Sequence, residues 1–175
     1  HRADNNMSKL PEDLPYPDAA KKLLEQTDQT SIKHVVTALK AAVEDKALKE
    51  AAMEAITTIA NYAKENKIYW TEPYLITLFD NIMALVADKM RPVQIAAERA
   101  GSAMMAALNP LAVDGMVPLL FKAFEEHRWQ TKLGAVKMFA DLARASPKTV
   151  SAILPLVVAK LMEVSQDPKP AIKEA

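Results

Sequence analysis

The residues of this chain best suited to chemistry are cations, and they recur in pairs. Lys46 and Lys49, Lys89 and Arg91, Arg128 and Lys132, and Lys169 and Lys173 each lie in or beside a short polar stretch that follows an apolar, periodic segment. Two chemistries fit such a row. An ammonium or guanidinium edge can meet phosphate oxygens, so that each lost contact weakens binding and lowers its salt dependence. Alternatively the row is an internal ladder, in which Asp45, Asp88 and Asp167 accept bonds from turn amides or from the basic side chain of the next unit. Both can hold for different members. Trp129 stands beside Arg128 at one of these turns. Its spacing predicts a half-buried ring at a junction, with the indole N–H on a carbonyl and base stacking as the competing use. Tyr69 and Trp70, in a break before another helix, invite the same comparison, with a hydrophobic clip as the simpler role.

Catalysis has less to stand on. There is no G-x-x-x-x-G-K-[ST], G-x-G-x-x-G or H-E-x-x-H, and the three glycines, at 101, 115 and 134, are too scattered to cradle a phosphate. Gly101 and Gly134 fall within helical patterns and read as close-packing positions. His34 and His127 have no third ligand in sight, so surface histidines are expected rather than metal or general-base groups. The pairs Glu44–Asp45 and Glu125–Glu126 are adjacent, point apart on a helix, and read as solvated helix ends. No catalytic, cofactor or metal residue is assigned.

The elements that position the cations are helical. In Asn109–Ala143, Val117, Leu120, Phe121 and Phe124 recur at three- and four-residue steps, and so do Leu133, Val136, Phe139, Leu142 and Ala143 beyond a polar turn at Glu125–Arg128. Two amphipathic helices folding back on each other are the reading, and each needs neighbours to stay folded. Composition agrees: 175 residues, 50% hydrophobic, 6% aromatic and few glycines. Twenty-two basic and twenty-two acidic residues cancel, which removes the argument for a nucleic-acid arm from net charge alone. Without cysteine, disulfides and thiolate zinc sites are excluded, and a reducing compartment is compatible. No apolar run is long enough for a membrane span, and no leader pattern opens the chain.

Along the chain, residues 1–17 carry prolines 11, 15 and 17 and no period, and read as a mobile arm; Met7 is read as a native start, with His1–Asn6 added ahead of it. Helices are then expected at Asp18–Gln26; from a Thr30 or Ser31 cap to Glu44; Leu48–Lys64; from a Thr71 cap to Ala87; Pro92–Leu108; the Asn109–Ala143 pair; and Ser146–Val164. Their inward faces include Ile32, Val35, Val36, Leu39 and Val43, then Ala52, Ala55, Ile56, Ile59 and Ala60. Later come Leu75, Leu78, Ile82 and Val86, and finally Ile153, Val157, Leu161 and Val164. Met53, Met83, Met104, Met116, Met138 and Met162 read as core gap fillers. Asp167–Pro170 reads as a turn and Ala171–Ala175 as the first turn of one more helix, so that the array is expected to be truncated there.

Pro73, Pro118 and Pro155 head similar segments, PYLITLF, PLLFKAF and PLVVAKL, at spacings of 45 and 37 residues, each followed by a charged turn and a helix. Paired helices at about forty-residue intervals predict an all-α fold, a right-handed α-solenoid of about four HEAT-like hairpins over 18–175. A kinking proline in every second helix fits that plan, because neighbours can cover the carbonyl it leaves unpaired.

The segments AAMEAITTIAN (51–61), EPYLITLF (72–79), AAERAGSAMMAALNPLAVDGMVPLLFKAF (96–124), WQTKLGAVKMFADLA (129–143) and LPLVVAKLMEVSQDPKPAIKEA (154–175) resemble the N-terminal HEAT region of translation elongation factor three, the fungal-type ribosomal ATPase. The run Ala107–Val113 and the Arg128–Lys132 turn carry it most specifically. The resemblance covers about three quarters of the chain and fades before Ile32. It implies a parent with two ATP-binding cassettes that helps clear deacylated tRNA from the ribosomal exit site, with the HEAT region contacting the small subunit. The segment itself would then be a non-catalytic, cytoplasmic interaction module. Its partners would be small-subunit ribosomal proteins, ribosomal RNA and other domains of the parent, with no membrane, cofactor or small-molecule substrate. A generic HEAT scaffold for protein binding is the alternative, including the ribosome-associated scaffold that activates the amino-acid-starvation kinase, which has a similar turn and helix pair.

Overall fold

The computed structural model describes residues 29–166 and 168, and every regular element among them is helical. In chain order these are α1 (Gln29–Glu44), α2 (Lys49–Glu65), α3 (Glu72–Ile76), α4 (Phe79–Leu85), α5 (Arg91–Ala107), α6 (Val113–Phe124), α7 (Trp129–Ala145), α8 (Pro147–Ala152) and α9 (Leu154–Ser165). Short 3-10 turns at Tyr69–Thr71 and Pro110–Ala112 lead into α3 and α6. The expected arm over 1–17, the Asp18–Gln26 helix, Asp167 and residues 169–175 lie outside the described residues.

Amphipathic periodicity makes the hairpins. α1 packs on α2, α4 on α5, and α6 on α7, while α8 turns back on α7 and α9 reaches α6. The second helix of each pair then packs on its counterpart, α2 along α5 and α5 along α7. The chain is an all-α solenoid of stacked helical hairpins. A single core runs through it, and Ile32, Leu39, Ile56, Ile59, Leu78, Ile82 and Leu120 are wholly buried. Each such side chain stabilises the fold by about 1.5–3 kcal/mol relative to exposure. Small residues let the second-helix layer close up: Ala96, Ala97, Ala100 and Gly101 of α5 are all buried.

Two expected helices are broken. The segment from Thr71 splits into α3 and α4 at Thr77–Leu78, where Leu78 N–H bonds back three residues to Leu75 O at 2.9 Å. The Thr77 hydroxyl donates to Tyr74 O at 2.6 Å, a local bond that competes with regular helix. Thr71 holds the N-cap position of α3, as expected, but its side chain makes no capping bond; it is buried, and its hydroxyl donates to Ile68 O at 2.8 Å. Thr30 and Ser31 fall inside the first turn of α1 rather than ahead of it. The segment from Ser146 breaks at Ile153, close to the middle of the expected helix. Pro155 explains the break, because it has no N–H for Ser151 O and its ring crowds that carbonyl.

The proline register therefore holds in position but not in effect. Pro73 and Pro155 stand second in α3 and α9, where a missing N–H costs little, and only Pro118 lies inside a helix. The Asn66–Trp70 break is built by a Schellman arrangement at the end of α2. Lys67 N–H bonds Lys64 O at 3.3 Å and Ile68 N–H bonds Ala63 O at 2.8 Å, with Lys67 at φ 54°. Of the methionines expected inside, Met53, Met83, Met104, Met116 and Met138 are buried, but Met162 is 62% exposed. It lies beside Leu161 and therefore off the stripe formed by Ile153, Val157 and Leu161, which faces the core. Leu154, Leu156 and Val158 are exposed on α9 as well.

Candidate interaction surfaces of the helical stack

The turns that join the two helices of each hairpin bring the basic pairs to one end of their hairpins. At the first turn Asp45 accepts the Ala47 N–H at 2.8 Å, a local loop that leaves Lys46 exposed. At the second, Asp88 accepts the Met90 N–H at 2.8 Å on one oxygen and the Lys49 ammonium on the other. That ion pair is largely shielded, with side chains 16% and 10% exposed, and it ties the first hairpin to the second. Burial alone would raise the Asp88 carboxyl. The Lys49 hydrogen bond, the Met90 amide and the charges of Lys49 and Lys89 outweigh it and hold the carboxyl below its ordinary value.

The basic row is thus divided. Lys49 forms a rung of the ladder, its charge going to the hairpin that follows, so that Asp88 is partnered from the preceding unit rather than the next. Lys46, Lys89 and Arg128 are exposed. Arg91 is exposed as well, with one guanidinium N–H on Gln94 Oε1 at 2.9 Å and Glu98 at 3.9 Å. Lys132 is half-buried and partnered. Lys169 and Lys173 lie outside the described residues. Trp129 opens α7 half-buried against the core, and among the described residues its indole N–H has no hydrogen-bond partner. Trp70 packs on the core while Tyr69 stays 47% exposed.

Further links between hairpins were not legible in the row. Glu72 accepts the Asn109 N–H at 2.6 Å, fastening the start of α3 to the turn before α6. Burial dominates there and raises the Glu72 carboxyl, the amide bond offsetting only part of the effect. Lys160 of α9 meets Glu125 at 2.7 Å and Glu163 at 3.3 Å, which lowers the Glu125 carboxyl chiefly through the Lys160 hydrogen bond. His34 and His127 are exposed, and no group of three potential metal ligands occurs among the described residues.

A second surface lies across the layer of second helices. An open groove of about 800 Å³ runs over α2, α5 and α7. Arg99 and Lys137 hold equivalent places in it, each eight residues into its helix (99 − 91 and 137 − 129). Lys64 and Arg144 occupy the last turns of α2 and α7. These groups stand within helices, away from the turn row, and the offset of 38 residues between α5 and α7 is the sequence signal that pairs Arg99 with Lys137.

Leaning two-helix units with a continuous shared core define a helical-repeat scaffold, a class that works through its surfaces. The chain belongs to the EF3 N-terminal HEAT repeat family, whose profile matches residues 18–175. That match begins ahead of Ile32, where the sequence resemblance fades. The chain is 33% identical over 128 residues to elongation factor 3 of Gonapodya prolifera, covering 73% of this chain and 11% of that one. It is 34% identical over 135 residues to elongation factor 3 of Candida glabrata, covering 77% and 13%. It is also 33% identical over 104 residues to the stalled ribosome sensor GCN1 of Homo sapiens, covering 59% and 4%. The chain thus spans only a small part of the length of these relatives. No single described helix is long and apolar enough to cross a membrane.

Proposed function

We propose that this chain is a non-catalytic interaction module of an elongation-factor-3-like translation protein and that it docks on the small ribosomal subunit in the cytoplasm. The module spans 18–175 after an arm at 1–17, and any ATPase chemistry resides in other parts of the parent. Lys46, Lys89, Arg91 and Arg128 meet ribosomal RNA phosphates, and neighbouring ribosomal proteins complete the contact. One observation carries this reading: three successive hairpin turns present exposed cations, and the Lys49–Asp88 pair fixes the first of them against the second. The names of the relatives, an elongation factor and a ribosome sensor, support a ribosomal partner.

Co-sedimentation with ribosomes across a salt series tests it. Changing Lys46, Lys89 and Arg128 together to alanine removes three exposed charges without touching the core. Binding is expected to weaken, and the slope of log affinity against log salt to fall by about 2, at roughly 0.7–0.9 per phosphate contact. A folded triple variant that binds with the wild-type slope would refute the phosphate edge. Failure of the unaltered chain to sediment with ribosomes at low salt would refute docking altogether.

A further inference from the structure

The groove over α2, α5 and α7 has a charge pattern that the turn row does not explain. Lys64, Arg99 and Lys137 are exposed and line it, and none is paired with a carboxylate among the described residues. The acids beside them are already engaged. Asp141 accepts the Ser102 hydroxyl at 2.7 Å and the Arg144 guanidinium at 2.7 Å, and Glu98 has Arg91 at 3.9 Å. A cluster of uncompensated cations is thus left around the groove of a chain whose net charge is zero. Between them the accessible floor is apolar and mostly small: Ala106 is half-buried and Ala145 exposed, with Ile95 half-buried beside them.

We propose that this groove receives an acidic amphipathic α-helix of a partner protein. The small floor side chains admit the apolar stripe of such a helix, and the surrounding cations take its flanking carboxylates. The dimensions agree. Neighbouring packed helices lie about 8–10 Å apart, which sets the scale between the α5 and α7 walls of the groove. Carboxylates six or seven residues apart on a helix are separated by about 9–10.5 Å along its axis. A helix of about three turns spans α2 to α7. The groove suits nucleic acid less well, because none of its lining residues is aromatic and bases would have no stacking platform. An apolar floor also adds nothing to phosphate binding. The surface differs from the hairpin turns, so it can bind a protein helix whether or not those turns meet RNA.

Fluorescence anisotropy with defined probes tests the assignment. The first probe is an 18-residue helical peptide with leucine at heptad a and d positions and glutamate on the flanks. The second replaces every glutamate by lysine, and the third is a 20-nucleotide oligouridine. The full 175-residue chain is expected to bind the acidic peptide at least about tenfold tighter than the basic one. The variant Lys64→Glu/Arg99→Glu/Lys137→Glu should lose that binding by at least about tenfold. Ala106→Trp, which fills the floor while keeping every charge, should also weaken it, whereas Lys46→Ala/Lys89→Ala/Arg128→Ala should not. Equal binding of both peptides overturns the proposal. So does binding of oligouridine, but not the acidic peptide, in a manner abolished by the charge reversal. Should a variant unfold, amide shifts of the unaltered chain decide: perturbations from the acidic peptide at Ser102, Ala103 and Lys137 support the groove, and their absence there overturns it.

Discussion

Gly101 of α5 lies directly beneath Met138 of α7, so close that a Cβ on the glycine would stand 2.2 Å from the methionine Cε and 2.8 Å from its Sδ. This contact sets the approach of two neighbouring hairpins. A Cβ on Gly134 of α7 would likewise stand 3.2 Å from a methyl of Val86, just past the end of α4. Neither glycine is needed for backbone conformation, since no glycine has positive φ. Both are small because a side chain of a neighbouring hairpin occupies the space.

Gly101→Ala is therefore expected to destabilise the chain by about 1–3 kcal/mol through overpacking, less up to about 1 kcal/mol of gained helix propensity. The control is Met138→Ala, which opens the space. In that background Gly101→Ala should be neutral or stabilising. A double-mutant cycle by urea unfolding measures the difference, and additive single effects would refute the contact.

Lys67→Gly should raise stability by about 1 kcal/mol. Lys67 holds φ 54° at the end of α2, a left-handed conformation that costs a residue with a Cβ roughly 1–2 kcal/mol. Glycine removes that cost but also adds freedom to the unfolded chain, which takes back part of the gain. Thermal unfolding, with Lys67→Ala as a control lacking the benefit, provides the measurement.

Acid stability has contributors of both signs: Asp88 and the more exposed Glu125 on one side, and Glu72 on the other. Asp88 is held below its ordinary value in the fold, so the unfolded chain binds the extra proton first. Its contribution is present above the ordinary carboxylate pKa and is lost as pH falls through that value toward the folded one. Glu72 is raised by burial, so its contribution has the opposite sign and improves as pH falls through its folded pKa. Asp88→Asn should cost about 2 kcal/mol at neutral pH and flatten the acid limb of the stability curve. Glu72→Gln should steepen that limb. Urea midpoints across the acid range check both slopes.

Thr131 sits 2% exposed on α7 with its hydroxyl unpartnered among the described residues. The other threonines with assigned bonds behave differently; Thr57, for example, donates to Met53 O at 3.1 Å. Thr131→Val keeps the shape and removes a desolvated hydroxyl, so it should stabilise by about 1 kcal/mol. A lowered urea midpoint would contradict this.

The amino-acid sequence by itself determined the helices, their inward faces and their repeat. Apolar side chains at a 3.6-residue period have one way to leave water, and that is local information. Val117, Leu120, Phe124, Val136, Phe139 and Leu142 are buried as their spacing requires. Gly101 and Gly134 were also legible as packing positions, though not their partners. Tertiary structure decided what depends on neighbours. It divided the basic row by placing Lys49 against Asp88, thirty-nine residues away, while Lys46 kept its exposure. It also gathered Lys64, Arg99 and Lys137 from three separate helices around one groove. The breaks at Thr77–Leu78 and Ile153 and the outward Met162 have local causes instead: a hydroxyl bond, a proline and a position off the apolar stripe. Charge pairing and groove formation depend on distances between segments far apart in the chain, and a helical period measures distance only along a single segment.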